Sequence, residues 1–428
     1  MKTSPIVADP PRPRLSRWVK FVSSTYLFFL YFSITPSFIN LNIAYIFNIT
    51  FGILLALLYP NIFFRLIKSK TFFYPLLFLS FFLIISILWP IAHGTNDYSF
   101  VAFSIGLINS YIGSAILVTI FLRKAPVLDF AEMFFYIFLL QSIFIILMLL
   151  VPSIREFIFN YFTSGRDLFE RSGFRGLGVA GAVAYSLSMA LAFGMLFSVY
   201  IYFSDRSRFI HFLGFCTMGF SLLLVARSGF IVFPFILFLI AFSIFRTRFR
   251  LSAYAINKLI IFIFYFIFFI LLLFAYLYYS SSNLAVFIMR FSFELFINFI
   301  DHGDLKTSST DVMMTMYFIP SQETLIYGDA KYLSGEGYYK GVDIGYLRHI
   351  LYFGLIPPLL LYGFFISIFY KTYKRVSDPK LLVVFSSFFI SSFVIHAKGT
   401  FLNSLYFSVF LFVFYFYFAY AKNKIRVE

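Results

Sequence analysis

The sequence predicts an all-α polytopic membrane protein with about 12 transmembrane helices, and three observations support this. The 428 residues are 61% hydrophobic, 24% aromatic and only 12% charged. A soluble domain carries about 25% charged residues, so lipid must cover much of this surface. Apolar runs of spanning length recur along the chain, and basic residues concentrate in alternate connections between them.

The predicted helices follow from the apolar runs, because a spanning helix needs about 20 mainly apolar residues. The runs cover residues 21–37, 41–60, 71–90, 99–121, 128–151, 180–203, 209–226, 228–245, 259–280, 344–370, 381–396 and 400–420. The resulting layout is a cytoplasmic tail (1–20), helices 1–5 (21–151), a first large outer loop (152–180), helices 6–9 (181–280), a second large outer loop (281–343), and helices 10–12 with a short cytoplasmic tail (344–428).

The basic residues predict the orientation of these helices. With the N-terminus inside, 23 of the 34 Lys and Arg residues fall on the cytoplasmic side, whereas 12 of the 18 Asp and Glu residues fall outside. The positive-inside rule therefore predicts that both termini are cytoplasmic. The net charge of +16 then faces anionic lipid headgroups rather than nucleic acid.

Several classes of function are disfavoured by what the sequence lacks. Cys216, the single cysteine, lies in an apolar run and can form neither an intrachain disulfide nor a cysteine metal site. The chain has no GxxxxGK[ST] loop, no HExxH motif and no Asp-x-Asp pair for a metal-held sugar nucleotide. The sequence therefore predicts neither a cofactor nor a bound metal.

The second outer loop is too long and too aromatic for a simple connection. Its stretch LAVFIMRFSFELFINFI (284–300) is apolar but interrupted by charges. It predicts a helix along the membrane surface, with a hairpin entering the membrane as the alternative. The tyrosines that follow, Tyr327, Tyr332, Tyr338 and Tyr339, offer rings for stacking on sugars.

Basic and acidic residues at the outer membrane face are the candidate functional residues. An ionisable side chain at membrane depth costs about 2.5–3.5 kcal/mol on insertion scales and is a functional hypothesis by default. The candidates are Arg171, Arg175, Arg227, Lys398, Asp343, Arg348 and His349. Each has a plainer alternative: the cations could extend to headgroups, Asp343 could cap a helix, and His349 could pack as a ring.

Arginines converging on an outer pocket fit a diphosphate well. Guanidinium binds phosphate through two parallel hydrogen bonds and stays charged in a low dielectric. A lipid-linked sugar diphosphate carries such a group at the depth of the membrane surface.

The whole chain resembles the O-antigen polymerase (Wzy-type) family, which is related to the O-antigen ligases. The local matches are FRGLGVAGAVAYSLSMALAFGM (174–195), ARSGFIVFPFILF (226–238), GEGYYKGVDIGYLRHILYFGLIPPLLLY (335–362) and KGTFLNSLYF (398–407). The resemblance implies an architecture like that of the C-type membrane glycosyltransferases (GT-C). It also implies an enzyme that joins undecaprenyl-diphosphate-linked oligosaccharide repeats at the outer face of the bacterial inner membrane, with a chain-length regulator protein as a further partner.

Under this interpretation, glycosyl transfer is metal-independent. Arg171, Arg175, Arg227 and Lys398 hold the diphosphate, Asp343 or His349 is the general base, and Arg348 orients that base or contacts phosphate.

Three other functions remain as alternatives. An O-antigen ligase would share the fold, although the long loop offers only His302 for a ligase-type histidine. A lipid-linked oligosaccharide flippase would place cations along a central cavity rather than near one face. A structural membrane scaffold would need no site at all.

Overall fold

The computed structural model describes residues 14–39, 41–162, 165–181, 184–246, 250–251, 257, 259–264, 283–303, 307–335 and 337–422. Most of the predicted tail 1–20, most of the predicted helix 259–280, and the last residues of the C-terminal tail lie outside the described residues.

Helices dominate the described part of the chain. In order they are α1 (Arg17–Phe32), α2 (Ile43–Leu58), α3 (Pro60–Lys68), α4 (Lys70–Ala92), α5 (Ser99–Leu117), α6 (Val127–Leu150), α7 (Pro152–Tyr161), α8 (Arg166–Ser172), α9 (Ala184–Tyr202), α10 (Phe209–Val225), α11 (Phe233–Ile244), α12 (Asn283–His302), α13 (Ser308–Thr315), α14 (Gln322–Tyr327), α15 (Gly345–Phe353), α16 (Ile356–Tyr373), α17 (Pro379–His396) and α18 (Leu405–Lys422). Two short antiparallel hairpins accompany them: β1 (Phe245–Arg246) with β2 (Arg250–Leu251), and β3 (Leu333–Ser334) with β4 (Gly337–Tyr338).

Helix ends follow local capping chemistry. The side chains of Ser16, Asn42, Ser69 and Asp378 accept backbone N–H groups at the starts of α1, α2, α4 and α17. Such caps satisfy donors that a helix cannot pair internally. Proline in the first turn begins α3, α7, α16 and α17, where its missing N–H costs nothing.

Five helices among the described residues are long and apolar enough to cross a membrane. They are Lys70–Ala92, Ser99–Leu122, Val127–Leu150, Ala184–Tyr202 and Pro379–His396. The pair α2 and α3, bent by 113°, makes a sixth if it counts as one span, and three further apolar helices are shorter. The prediction of an all-α membrane protein is confirmed, whereas the number twelve and the GT-C architecture stay predictions.

The centre of the bundle is formed by α9 and α18. Almost every side chain of both helices is buried, so their hydrophobic character on all faces reflects protein rather than lipid contact. Stacked phenylalanine rings join them to their neighbours, with Phe410 lying 3.8 Å from Phe388 and Phe134 lying 5.0 Å from Phe197 between ring centroids. This aromatic core explains why the chain carries 68 phenylalanines.

The structure corrects two predicted boundaries. The single helix predicted over 344–370 is two helices, α15 and α16, because Gly354 has a φ of +74° that only glycine adopts readily. A side chain there would also meet the carbonyl oxygen of Ile326 at 2.4 Å. The predicted helix 41–60 is followed by α3 at a sharp angle rather than by a loop.

The two large predicted loops are structured. The first contains α7 and α8, and the second contains α12, α13, α14 and the β3–β4 hairpin. The stretch 284–300 is helical as expected, with a kink at Phe293 inside α12. These segments lie at the end of the bundle where α1 ends, which we call the loop end. The opposite end, where α1 begins, is the N-terminal end.

Candidate functional site

Asp97 anchors the segment that leads into the candidate site. Its carboxylate accepts the backbone N–H groups of Tyr332 (2.5 Å) and Leu333 (2.9 Å) and thereby attaches the β3–β4 hairpin to the start of α5. The preceding residues continue this attachment, since Asp329 and Ala330 donate backbone N–H groups to carbonyls at the end of α15. The hairpin therefore presents its tyrosines in a defined position.

Arg348 lies in α15 with only 3% of its side chain exposed. Its guanidinium carbon is 3.6 Å from the ring centroid of Tyr332 and 3.5 Å from that of Tyr338. Cation–π contact of this kind is strongest where water is excluded. One face of each of these two rings is thus occupied by arginine, which the sequence-based assignment of both rings to sugar stacking did not anticipate.

Asp343 precedes α15 and forms an ion pair with Arg348, 3.5 Å from Oδ1 to Nη1. That Oδ1 atom is buried and accepts no hydrogen bond in the described structure, although the side chain as a whole is 37% exposed. Burial raises the pKa of Asp343 to about 6, against the opposing effects of Arg348 and Lys398. The carboxylate is therefore accessible, weakly stabilised and able to take up a proton near neutral pH.

Lys398 lies in the short connection between α17 and α18 and is half-buried. Burial lowers its pKa, as do the charges of Arg227 and Arg175, while Asp343 acts in the opposite direction. The electrostatic influence of three site residues on one ammonium group shows that they share a neighbourhood.

Arg175 and Arg227 approach the same aromatic ring. Their guanidinium carbons lie 5.0 Å and 4.8 Å from the ring centroid of Phe291 in α12. Arg175 also donates from Nε to the carbonyl of Val225 at 3.0 Å, which uses one of its donors and leaves the others. Burial and the nearby charge of Arg227 lower the pKa of Arg175.

Glu294 holds Arg227 in place and was not singled out from the sequence. It forms an ion pair and hydrogen bond with Arg227 and accepts the backbone N–H of Ser308 at 2.8 Å. Although burial acts to raise it, these hydrogen bonds lower the pKa of Glu294. The sequence did contain a signal for Glu294, because it is an acid within the apolar stretch 284–300. An isolated acid in such a stretch is costly unless it has a partner.

His349 is fully buried one residue beyond Arg348. Its Nδ1 shares a 2.6 Å hydrogen bond with the hydroxyl of Tyr362, and its ring packs against Tyr362, Phe100 and His396. The His396 ring also lies against the backbone of Gly345. A Cβ at that position would meet the ring at 2.5 Å, so glycine is required there. These contacts favour the ring-packing alternative for His349 over direct contact with substrate.

Arg171 does not join the other cations in the described structure. It lies in the last turn of the short helix α8 and is exposed, with no ion pair or ring contact within the described residues. The sequence analysis grouped Arg171 with Arg175 because they are only four positions apart. The end of α8 at Gly173, which has a φ of +74°, turns the chain so that only Arg175 enters the cluster.

A cavity of about 310 Å³ adjoins this cluster through Tyr332. Its polar lining includes Tyr185, Thr400 and Asn403, and the hydroxyls of Tyr185 and Thr400 lie 3.2 Å apart. This hydroxyl-rich wall can hydrogen-bond a sugar.

A Cβ at Gly399 would meet the Tyr185 ring at 2.7 Å, so the connection carrying Lys398 lies directly against this wall.

The site as a whole carries an excess of positive charge. Four cations, Arg175, Arg227, Arg348 and Lys398, face two carboxylates, Asp343 and Glu294. Such an arrangement suits a ligand with about two negative charges, and the hydroxyl-lined cavity beside it suits a polar, uncharged group. Within the described ranges, no three His, Cys, Asp or Glu side chains gather as a metal-ligand set.

The fold and the site together define a helical membrane protein with a cationic pocket at one end of its bundle. No protein-family model, curated protein or solved structure matches the chain.

Proposed function

We propose that this protein is a membrane glycosyltransferase of the O-antigen polymerase type, acting at the outer face of the bacterial inner membrane. It would join undecaprenyl-diphosphate-linked oligosaccharide repeats into a surface polysaccharide. The observation that carries the proposal is the position of Asp343, a carboxylate with a raised pKa beside a cluster of cations.

The cationic cluster supports binding of a diphosphate. Arg175, Arg227 and Lys398 present hydrogen-bond donors from three different connections. In our proposal, the diphosphate of the lipid-linked donor sugar lies among them, with its polyprenyl chain in the bilayer. Glu294 keeps Arg227 oriented when the site is empty, and Phe291 keeps both guanidinium groups from turning to solvent.

The reaction that fits these groups is transfer of a glycosyl group to a hydroxyl. The acceptor oxygen of the incoming repeat attacks the anomeric carbon of the growing chain and forms the new C–O bond. The bond between that carbon and the diphosphate breaks, and its electron pair leaves with the phosphate oxygen. Asp343 accepts the proton of the acceptor hydroxyl.

The cations lower the barrier by stabilising the leaving group. The diphosphate gains negative charge as the glycosidic bond breaks, and preorganised positive groups stabilise that charge without reorganising. Arg348 has a different role. Its guanidinium, stacked between two tyrosine rings, forms an ion pair with Asp343, and its charge lowers the pKa of Asp343 and so favours the ionised carboxylate.

A deletion strain tests the proposed function against its alternatives. Loss of a polymerase leaves single repeats on the outer cell surface. Loss of a flippase traps lipid-linked repeats inside, and loss of a ligase leaves long chains on the lipid carrier. Accumulation of trapped repeats or of carrier-bound long chains would contradict the proposal, as would a normal polysaccharide.

A further inference from the structure

A second cavity opens at the N-terminal end of the bundle, remote from the candidate site. The 16 residues of α1 separate the two ends, which is about 24 Å of helix. The cavity has a volume of about 590 Å³ and lies between the start of α1, the start of α6 and the connection from α9 to α10. Its charged lining residues are Arg14, Arg17, Lys20, Glu132, Asp205, Arg206 and Arg208.

Two of the cations are fixed by carboxylates beneath the cavity. Lys20 lies 2.9 Å from the fully buried Asp129 and 2.8 Å from Glu132. Arg206 forms an ion pair and hydrogen bond with the same Asp129 and lies 3.9 Å from Glu132. These contacts build a rigid base for the cavity and bring the α9–α10 connection against α1.

The other three cations lie at the opening of the cavity. Arg14, Arg17 and Arg208 are exposed around the opening, and no carboxylate of the described residues lies within ion-pair distance of them. Asp205 is the remaining acid on the lining. Five cations therefore face three carboxylates, Asp129 included, and the cavity keeps an excess of two positive charges.

An exposed apolar strip continues from the cavity along α6. Tyr136, which lines the cavity, Leu140 and Ile143 are 38%, 42% and 40% exposed and lie on one face, three or four residues apart. The helices α1 and α10 both pack against α6. Each also carries an exposed apolar side chain, Phe21 in α1 and Leu213 in α10.

We propose that this cavity and strip bind one anionic phospholipid. The phosphate lies among Arg14, Arg17 and Arg208, and an acyl chain follows the apolar face of α6. Charge complementarity selects an anionic headgroup, and the apolar strip selects a lipid rather than a soluble phosphate ester. The lipid joins α1 to the α9–α10 connection and so stabilises the N-terminal end of the bundle.

Trp18 provides a direct test, because it is exposed beside Arg17 and the chain has only one other tryptophan, Trp89. In a Trp89→Phe protein, Trp18 reports lipid contact through quenching by brominated acyl chains. The full chain is placed in phosphatidylcholine vesicles that contain a small fixed fraction of either brominated phosphatidylglycerol or brominated phosphatidylcholine. An excess of two positive charges at a membrane surface predicts roughly a 30-fold preference for the anionic lipid.

Charge-removing variants distinguish this cavity from the general basic character of that membrane side. By the same relation, Arg17→Gln with Arg208→Gln removes this excess and should bring the preference close to one. The matched control, Arg65→Gln with Lys68→Gln, removes two exposed charges from α3 and should retain the full preference. Equal quenching by both lipids in the Trp89→Phe protein with all its charges would overturn the proposal. Equal losses of lipid preference in the two double variants would also overturn it.

A soluble competitor separates a lipid site from a phosphate site. Excess glycerol 3-phosphate should leave the quenching by brominated phosphatidylglycerol unchanged, because it lacks the acyl chain that the strip binds. Reversal of quenching by this competitor would show that the cavity takes free phosphate esters and would overturn the lipid assignment.

Discussion

Asp129 and Asp343 lie at opposite ends of the helical bundle, and each is accompanied by basic side chains. Asp129 accepts the backbone N–H of Leu15 at 2.8 Å and pairs with both Lys20 and Arg206. Its oxygens have the donors that a buried carboxylate requires. It therefore serves as a structural junction between α1, α6 and the α9–α10 connection.

Asp343 has cations nearby but few donors. Its Oδ1 lies 3.5 Å from Arg348 without a hydrogen bond, and its pKa is raised to about 6. The difference shows that nearby positive charge alone does not make a carboxylate structural. Donor geometry decides whether the group is fully stabilised as an anion or kept ready to accept a proton.

The largest effect is expected for Asp343→Asn. The amide cannot accept the acceptor proton, so chain extension should fall by about 10²–10⁴-fold while the protein still folds. The assay measures extension of lipid-linked single repeats isolated from the deletion strain. Asp301→Asn, an exposed change in α12, is the matched control and should extend normally. An Asp343→Asn protein with wild-type extension would remove the proposed base.

For Asp129→Asn we expect the reverse pattern, a loss of stability without a loss of activity. This change leaves Lys20 and Arg206 without their buried partner, and breaking a buried ion pair costs about 3–5 kcal/mol. The thermal unfolding midpoint in detergent should fall clearly, while activity per folded molecule stays close to wild type. Asp205→Asn, at the exposed edge of the same end, should leave the midpoint unchanged. A strong activity loss without loss of stability would contradict the structural role of Asp129.

Arg227 tests whether the cations bind substrate or only pair with acids. Arg227→Ala should reduce extension by about 10²–10³-fold, as expected when one preorganised donor is lost, and Arg227→Lys should restore part of it. Glu294→Gln removes the pairing acid but leaves the guanidinium for phosphate, so its loss should be much smaller. Arg290→Gln, an exposed change one turn away, is the control. Equal losses for Arg227→Ala and Glu294→Gln would mean that the pair is structural.

The sequence predicted the fold class well because membrane insertion requires long apolar runs, and these survive in α4, α5, α6, α9 and α17. It predicted the break between α15 and α16 poorly, since Gly354 acts through a close approach to Ile326 that no local pattern reveals.

The candidate site was predicted in part for a similar reason. Cations at membrane depth are costly and therefore conspicuous, which is how Arg175, Arg227 and Arg348 were found. Their partners Phe291 and Tyr332 belong to other segments of the chain and are unremarkable among 68 Phe and 31 Tyr residues. Long-range packing, rather than residue type, decided which side chains meet.

The smallest expected effect concerns the pH dependence of extension. A general base must be deprotonated, so activity should be full well above pH 6 and fall about tenfold per unit below it. Lys398 lowers the pKa of Asp343, so Lys398→Gln should raise that pKa and move the acidic limb to higher pH. Lys331→Gln, an exposed change in the hairpin segment, should leave the limb in place. Because a lost phosphate contact alone would lower extension equally at every pH, an unshifted limb in Lys398→Gln would show that its charge does not act on Asp343.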